Sequence, residues 1–117
     1  ARALAIQEKA RGPDHPDLGD TLTGRATALL SLGRLEEARA QVERAVRIGE
    51  AAAQPTAADL AEGRFVLARV LWASGYARPR ALSLARQARD GFVAAGAAVS
   101  KKELARVDAW LAGRDER

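Results

Sequence analysis

Residues 12–38 read GPDHPDLGDTLTGRATALLSLGRLEEA, and the rest of the chain copies or flanks this stretch. Asp14 is a good N-cap residue, and the apolar residues after it recur at the spacing of one helix face. Gly33 ends this first helix, and a second begins at Leu35. A connection this short makes two helices lie antiparallel and side by side. The stretch therefore predicts a helical hairpin with helices over about residues 15–32 and 35–52.

A second, looser copy of this pattern follows. Pro55 breaks the chain, Thr56 is the next predicted cap, and Gly75 is the next corner. Ser100 then opens a last helix with an S-x-x-E capping box. The segment before Gly12 has helix-forming composition throughout. The further helices are predicted over residues 1–11, 56–74, 79–95 and 100–113.

The three predicted caps are evenly spaced, at intervals of 42 and 44 residues. A leucine follows each cap by four positions and an alanine follows each by twelve. Small residues recur where two helix backbones must come close, so the set indicates stacked hairpins. The matched residues are Leu18, Leu60 and Leu104, and Ala26, Ala68 and Ala112.

Composition narrows the class of protein. The 117 residues suffice for one domain with a modest core, and the chain has no cysteine. No apolar run is long enough for a transmembrane helix, and the N-terminus lacks the layout of a secretion signal, so we expect a cytoplasmic protein that does not bind membranes. Because the chain contains no methionine, we expect it to be a piece of a longer protein. The net charge of +4 is interspersed along the chain, which favours solvated helix faces over a nucleic-acid site.

The sequence contains no pattern typical of a catalytic, cofactor-binding or metal site. His15 is the only histidine, and it lies in a proline-flanked loop between Asp14 and Asp17. Capping and turn chemistry account for these three residues without a metal. One loop histidine with no nucleophile beside it makes no catalytic triad, and the glycines are helix corners rather than a phosphate loop. We therefore predict no catalytic residue, no cofactor and no metal, and a protein that is not an enzyme.

The two-helix unit resembles the tetratricopeptide repeat, in which small residues recur at fixed positions. In the first copy these are Ala26, Ala38 and Ala45, with Leu29 at the large position. The second copy matches through Ala68, Ala81 and Ala88 if one residue is inserted after the corner glycine. The 42-residue period and the sequence AIQEKARGPDHPDLGDTL resemble the kinesin-light-chain subtype. This subtype has a longer loop between repeats than the 34-residue form of the repeat.

The resemblance implies an all-α fold, a right-handed superhelical stack of antiparallel helix pairs. Five helices belong to two full repeats, 14–53 and 56–96, and to a C-terminal capping helix, 99–113. Residues 1–11 would be the second helix of a truncated repeat. The terminal sequence SKKELARVDAWLAGR is similar to the last helix of tetratricopeptide arrays at the C-termini of bacterial serine/threonine kinases. None of the kinase motifs is present, so the resemblance implies no kinase activity for this piece.

In that family the first helix of each repeat lines a concave groove that holds extended peptides. Thr23-Gly24 and Phe65-Val66 stand where the subtype usually has paired asparagines, so the groove implied here is more apolar and differs in specificity. Carried over by position, the groove residues are Asp20, Thr23, Thr27, Leu30, Glu62, Phe65, Arg69 and Trp72.

The leading functional hypothesis is a scaffold that binds a protein or peptide. The alternative is a self-association element of a multidomain signalling enzyme, which clusters the enzyme to which it is attached. It would form a homo-oligomer through the N-terminal edge, where Leu4 and Ile6 would face water or another copy. Nucleic-acid binding is a third hypothesis, which the basic charge suggests. Two interpretations of Trp72 also stay open, as a cover over the junction to the last helix or as a groove anchor with Arg69 and Phe65. Trp110 is predicted to be a core residue.

Overall fold

The computed structural model describes residues 16–51, 57–75, 77–96 and 101–114, and these residues form five α-helices and no strand. The all-α stack of antiparallel helix pairs is thereby confirmed. Each described helix begins and ends within one or two residues of its predicted bounds. The helices are α1 (Pro16–Ser31), α2 (Leu35–Ala51), α3 (Ala57–Ser74), α4 (Arg78–Ala95) and α5 (Lys101–Ala112).

Several predicted features lie outside the described residues. They are the helix over residues 1–11, the histidine loop, and the three capping residues Asp14, Thr56 and Ser100. The side chain of Leu18 is also outside the described set.

A glycine in the left-handed backbone region forms the corner of each hairpin. Gly33 has a φ of 76°, and its N–H donates to the carbonyl oxygen of Leu30 at 3.0 Å. The next N–H, of Arg34, donates to the carbonyl oxygen of Leu29 at 2.9 Å. These two bonds are the Schellman pattern, which satisfies the last carbonyls of a helix and needs a left-handed residue. Gly75 has a φ of 70° at the corresponding corner, so both predicted corners are where the sequence places them.

The helices form two layers. α1 pairs with α2 and α3 pairs with α4, while α2 and α1 both pack on α3. α1 and α3 therefore lie side by side in the first layer, with α2 and α4 in the second. α5 packs on α4 and reaches α3 through long side chains, so it extends the first layer by one helix.

The alanine positions of the two repeats are buried at matching places. Ala26 and Ala68 are 0 % exposed, as are Ala38 and Ala81, so helix backbones approach closely at the same points of both hairpins. The pairing of Ala38 with Ala81 agrees with a one-residue insertion after Gly75. The third matched alanine, Ala112, is exposed, because no further helix packs on that side of α5 within the described residues.

Candidate partner-binding surface

The first layer carries a surface made of exposed and partly exposed positions on α1 and α3. We call it the α1–α3 face and define it by Gly24, Thr27 and Leu30 on α1 and by Glu62, Arg69 and Trp72 on α3. Gly24 is exposed, and the other five residues are partly exposed. Residues three, four or seven apart share one side of a helix, which is why these positions line up along α1 and α3.

The α1 half of this face is small and polar apart from Leu30. The Thr27 hydroxyl donates to the carbonyl oxygen of Thr23 at 3.0 Å, so its polar atom is satisfied within the helix. Thr23 is only 9 % exposed and lies against α3, where a Cβ added at Gly63 would be 3.6 Å from its hydroxyl oxygen. The α1 half therefore offers little side-chain bulk and leaves its backbone accessible beside Gly24.

Gly24 differs from the other helical glycines whose surroundings are described. A Cβ added at Gly19, Gly49 or Gly63 would meet neighbouring atoms within 4.0 Å, and the closest approach is 2.9 Å, from Gly49 to the Leu60 side chain. A Cβ added at Gly24 would meet none. An added Cβ would therefore be crowded at Gly49, would make ordinary van der Waals contacts at Gly19 and Gly63, and would stand in open space at Gly24.

The α3 half is aromatic and basic. Phe65 is 1 % exposed, and its ring lies edge-to-face with Trp110 of α5, with centroids 5.9 Å apart and an interplanar angle of 87°. Trp72 meets the same indole at 5.7 Å and 76°. Both geometries are the favourable T-shaped arrangement. α5 thus covers Phe65 and seats Trp72 at the junction between α3 and α5, where Trp72 keeps a partly exposed edge.

Four arginines surround these three rings. The Arg106 guanidinium lies 5.1 Å from the Phe65 centroid and that of Arg69 lies 5.7 Å from it. Arg78 lies 4.8 Å from the Trp72 centroid, and Arg114 lies 4.4 Å from that of Trp110. These distances are within the range of cation–π attraction. We call Phe65, Trp72, Trp110 and the four arginines the arginine–aromatic cluster.

Arg69 has an unusual electrostatic setting within this cluster. Burial lowers the pKa of its guanidinium below the ordinary value, the nearby positive charge of Arg106 lowers it further, and Glu62 acts in the opposite direction. Arg106 donates to Glu62 at 2.6 Å and to Glu103 at 2.8 Å. Among the described residues, no hydrogen bond or ion pair is found for Arg69.

The groove residues predicted from the sequence lie on α1 and α3, and they differ in burial. Thr27, Leu30, Glu62, Arg69 and Trp72 form the partly exposed row. Thr23 and Phe65 lie beneath that row and are buried, and the Asp20 side chain lies outside the described residues.

Sequence reasoning missed Arg78, Arg106 and Arg114 as members of the cluster. Arg106 lies four residues before Trp110 on α5, and Arg114 lies four residues after it, in the turn that follows the helix. This four-residue spacing could have predicted that both arginines lie near Trp110. The relation between Arg78 and Trp72 crosses the second corner and carries no comparable periodicity.

Two searches of the described residues were negative. They contain no group of three or more His, Cys, Asp or Glu side chains placed to hold a metal ion. None of their helices combines the length and the apolar character that crossing a bilayer requires.

A family model for the tetratricopeptide repeat matches residues 1–51, a region whose described part is α1 and α2. The match supports a tetratricopeptide repeat in that part of the chain. No curated protein and no solved structure matches the chain significantly.

Proposed function

We propose that this chain is a protein–protein interaction scaffold, part of a larger protein, that holds an extended peptide segment of its partner on the α1–α3 face. Tetratricopeptide repeats generally mediate protein–protein interaction, and residues 1–51 match that family. The observation that carries the proposal is the open space at Gly24 on α1.

A glycine inside a helix is destabilising by about 1 kcal/mol relative to alanine. Gly24 is exposed, and a Cβ there would meet no atom within 4 Å. The described residues therefore give no reason for the missing side chain. A partner backbone that crosses α1 closely would use this space, because only glycine leaves the helix backbone unshielded.

The α3 side of the row supplies residues of the type that dominate binding energies. Arg and Trp are enriched among such residues, and Arg69 and the edge of Trp72 lie together there. Leu30 adds a partly exposed apolar contact on α1. The face thus combines a close-approach site with side chains able to anchor a partner.

The subtype of the repeat and the kind of parent protein are each supported by one feature of the sequence. The 42-residue spacing supports the kinesin-light-chain-like subtype, and the terminal helix wording alone supports a place at the C-terminus of a bacterial kinase. Self-association through the N-terminal edge remains the alternative function, and that edge lies outside the described residues.

The test uses a random-peptide display library selected on the immobilised chain. Selected peptides are then measured by fluorescence anisotropy against Gly24→Gln and against Ala40→Gln, an exposed position on α2. We expect Gly24→Gln to weaken binding at least tenfold and to raise the free energy of unfolding by about 0.5–1 kcal/mol, since glutamine is the better helix former. Ala40→Gln should leave affinity unchanged.

Two outcomes would contradict the proposal. One is the absence of any selected peptide, and the other is binding that Gly24→Gln leaves intact. If the wild-type chain is an oligomer in sedimentation equilibrium and Gly24→Gln makes it monomeric, the α1–α3 face serves self-association rather than peptide binding.

A further inference from the structure

We propose that α5 controls the α1–α3 face through Trp72. Trp110 and Arg114 act as positioning residues that hold the Trp72 indole in place for the partner, so that partner binding and the packing of α5 stabilise each other. This inference rests on the proposed function and adds the regulation of the same site.

The orientation of the Trp72 ring depends on contacts from outside its own helix. The ring lies edge-to-face with Trp110 of α5, with centroids 5.7 Å apart and planes inclined by 76°. The guanidinium carbon of Arg114 lies 5.5 Å from the Trp72 centroid, and that of Arg78 lies 4.8 Å from it. Two of these three contacts therefore come from α5 and the turn that follows it.

Arg114 connects the end of α5 to both tryptophans. Its backbone N–H donates to the carbonyl oxygen of Leu111 at 2.9 Å, and its guanidinium donates to the carbonyl oxygen of Trp110 at 2.9 Å. The guanidinium carbon also lies 4.4 Å from the Trp110 centroid. Because one cationic group lies over both indoles, a displacement of the end of α5 would change the surroundings of Trp72 as well.

α5 is anchored by fewer buried residues than any other described helix. Val107 and Leu111 are its buried residues. Its ion pair with α3, between Arg106 and Glu62, is partly exposed, and such pairs contribute little to stability. A helix held in this way can open locally at a lower cost than a helix at the centre of the stack. The packing of α5 can therefore respond to what binds beside it.

We expect the coupling between α5 and the partner to be positive. With α5 in place, Trp72 keeps a partly exposed edge on the α1–α3 face. Without α5, the indole would lose two of its three described ring contacts and could adopt other rotamers. A partner would then have to order the ring on binding, which costs affinity. Linkage is reciprocal, so a bound partner should also stabilise the packing of α5.

The first test uses a peptide that has been selected on the wild-type chain and that loses affinity on Trp72→Leu. Its affinity is compared by fluorescence anisotropy for Arg114→Gln and for the matched control Arg89→Gln. Both arginines hold α5, but Arg89 pairs with Asp108 and has no described contact with Trp72. We expect Arg114→Gln to weaken binding about fivefold, the lower end of typical couplings between sites, and Arg89→Gln to change it by less than about twofold.

Two further variants distinguish positioning from a general loss of structure. Arg114→Lys keeps a cation near the two indoles and should keep most of the affinity. Arg114→Gln in the Trp72→Leu background should have little further effect, because the residue through which Arg114 acts is then missing. Circular dichroism checks that each variant keeps its helical content.

A second test needs no ligand. The chain has two tryptophans, so labelling with fluorotryptophan gives one fluorine resonance for each, and Trp110→Phe assigns them. We expect Arg114→Gln to move the Trp72 resonance towards the shift of free fluorotryptophan, whereas Arg89→Gln leaves it in place. Hydrogen exchange then tests reciprocity. Saturating peptide should slow amide exchange in α5 by a factor similar to the affinity that the peptide loses on Arg114→Gln.

The outcomes separate this inference from the proposed function. Unchanged affinity or an unmoved Trp72 resonance on Arg114→Gln, or an equal loss of affinity on Arg89→Gln, overturns the inference and leaves the scaffold function intact. The same holds if every selected peptide is insensitive to Trp72→Leu. Tighter binding to Arg114→Gln also overturns the inference, because α5 would then compete with the partner for Trp72. The absence of any selected peptide overturns both.

Discussion

The two hairpins of this chain share their internal contacts and differ on the side that packs against the next helix of the stack. Ala26 and Leu29 of the first correspond to Ala68 and Leu71 of the second, and all four are buried. Three positions before each alanine, the first hairpin has a threonine where the second has Phe65. The shared positions set how the helices pack, whereas the outer face can diverge because it contacts only what lies beyond the hairpin. In the second hairpin that neighbour is α5.

The largest expected difference between the hairpins comes from truncating this divergent position. Phe65→Ala removes a fully buried ring together with its edge-to-face contact to Trp110. We expect it to lower the free energy of unfolding by about 3–5 kcal/mol, the range for buried aromatic truncation. Urea titration followed by circular dichroism measures the loss.

Thr23→Ala is the matched control in the first hairpin. The change removes a hydroxyl and one methyl group, much less volume than a phenyl ring, so we expect a loss of about 1–2 kcal/mol. Tryptophan fluorescence adds a local readout, because detaching α5 would expose Trp110 and shift its emission to the red. Equal losses at the two positions would show that α5 does not pack on Phe65 as described.

The shared positions lead to the opposite expectation, similar effects in both hairpins. Ala26→Leu and Ala68→Leu each add bulk at a site that is 0 % exposed. Overpacking of this kind lowers stability by about 1–3 kcal/mol. Urea titrations of the two variants should agree within this range. A large loss of stability for Ala68→Leu with none for Ala26→Leu would mean that the helices do not approach equally closely in the two hairpins.

Local patterns in the sequence were enough to predict the five described helices and the buried alanine positions of the two hairpins. Gly33 and Gly75 mark the corners because a left-handed backbone favours glycine, and alanines at equal spacing mark where helices approach. The cover over Phe65 could not be predicted in the same way. Phe65 and Trp110 are distant in sequence, and their contact depends on the angle at which α5 meets α3 and α4. The sequence accordingly left two interpretations of Trp72 open, and its contact with Trp110 places it at the junction.

The ion pairs of the arginines could not be predicted from the sequence either, because they too join residues that are distant in sequence. The bond from Arg106 to Glu62 joins residues 44 apart, and Arg106 also has Glu103 within its own helix. The sequence shows that Glu62 and Glu103 are charged. A charge pattern along one helix does not predict which charges pair with a neighbouring helix. Only the three-dimensional packing distinguishes Arg69, which keeps no carboxylate partner among the described residues, from Arg106.

The smallest expected effects distinguish the two corners. In the first hairpin only Arg34 separates the corner glycine from the next helix, whereas the second hairpin has one more residue there, and Ala77 adopts a left-handed φ of 53°. A non-glycine residue in this region is strained by about 1–2 kcal/mol. Ala77→Gly should therefore stabilise the chain by about 0.5–1 kcal/mol after the added flexibility of the unfolded state is counted.

Gly33→Ala should have the opposite sign at the first corner. A Cβ there would meet no atom within 4 Å, so the expected loss of about 1 kcal/mol comes from the backbone alone. Urea titration of both single variants and of the double variant measures the two effects, which should add because the corners belong to different hairpins. If Ala77→Gly destabilises the chain instead, the extra residue is not held in a left-handed conformation. The second corner would then have to accommodate its insertion by another backbone path.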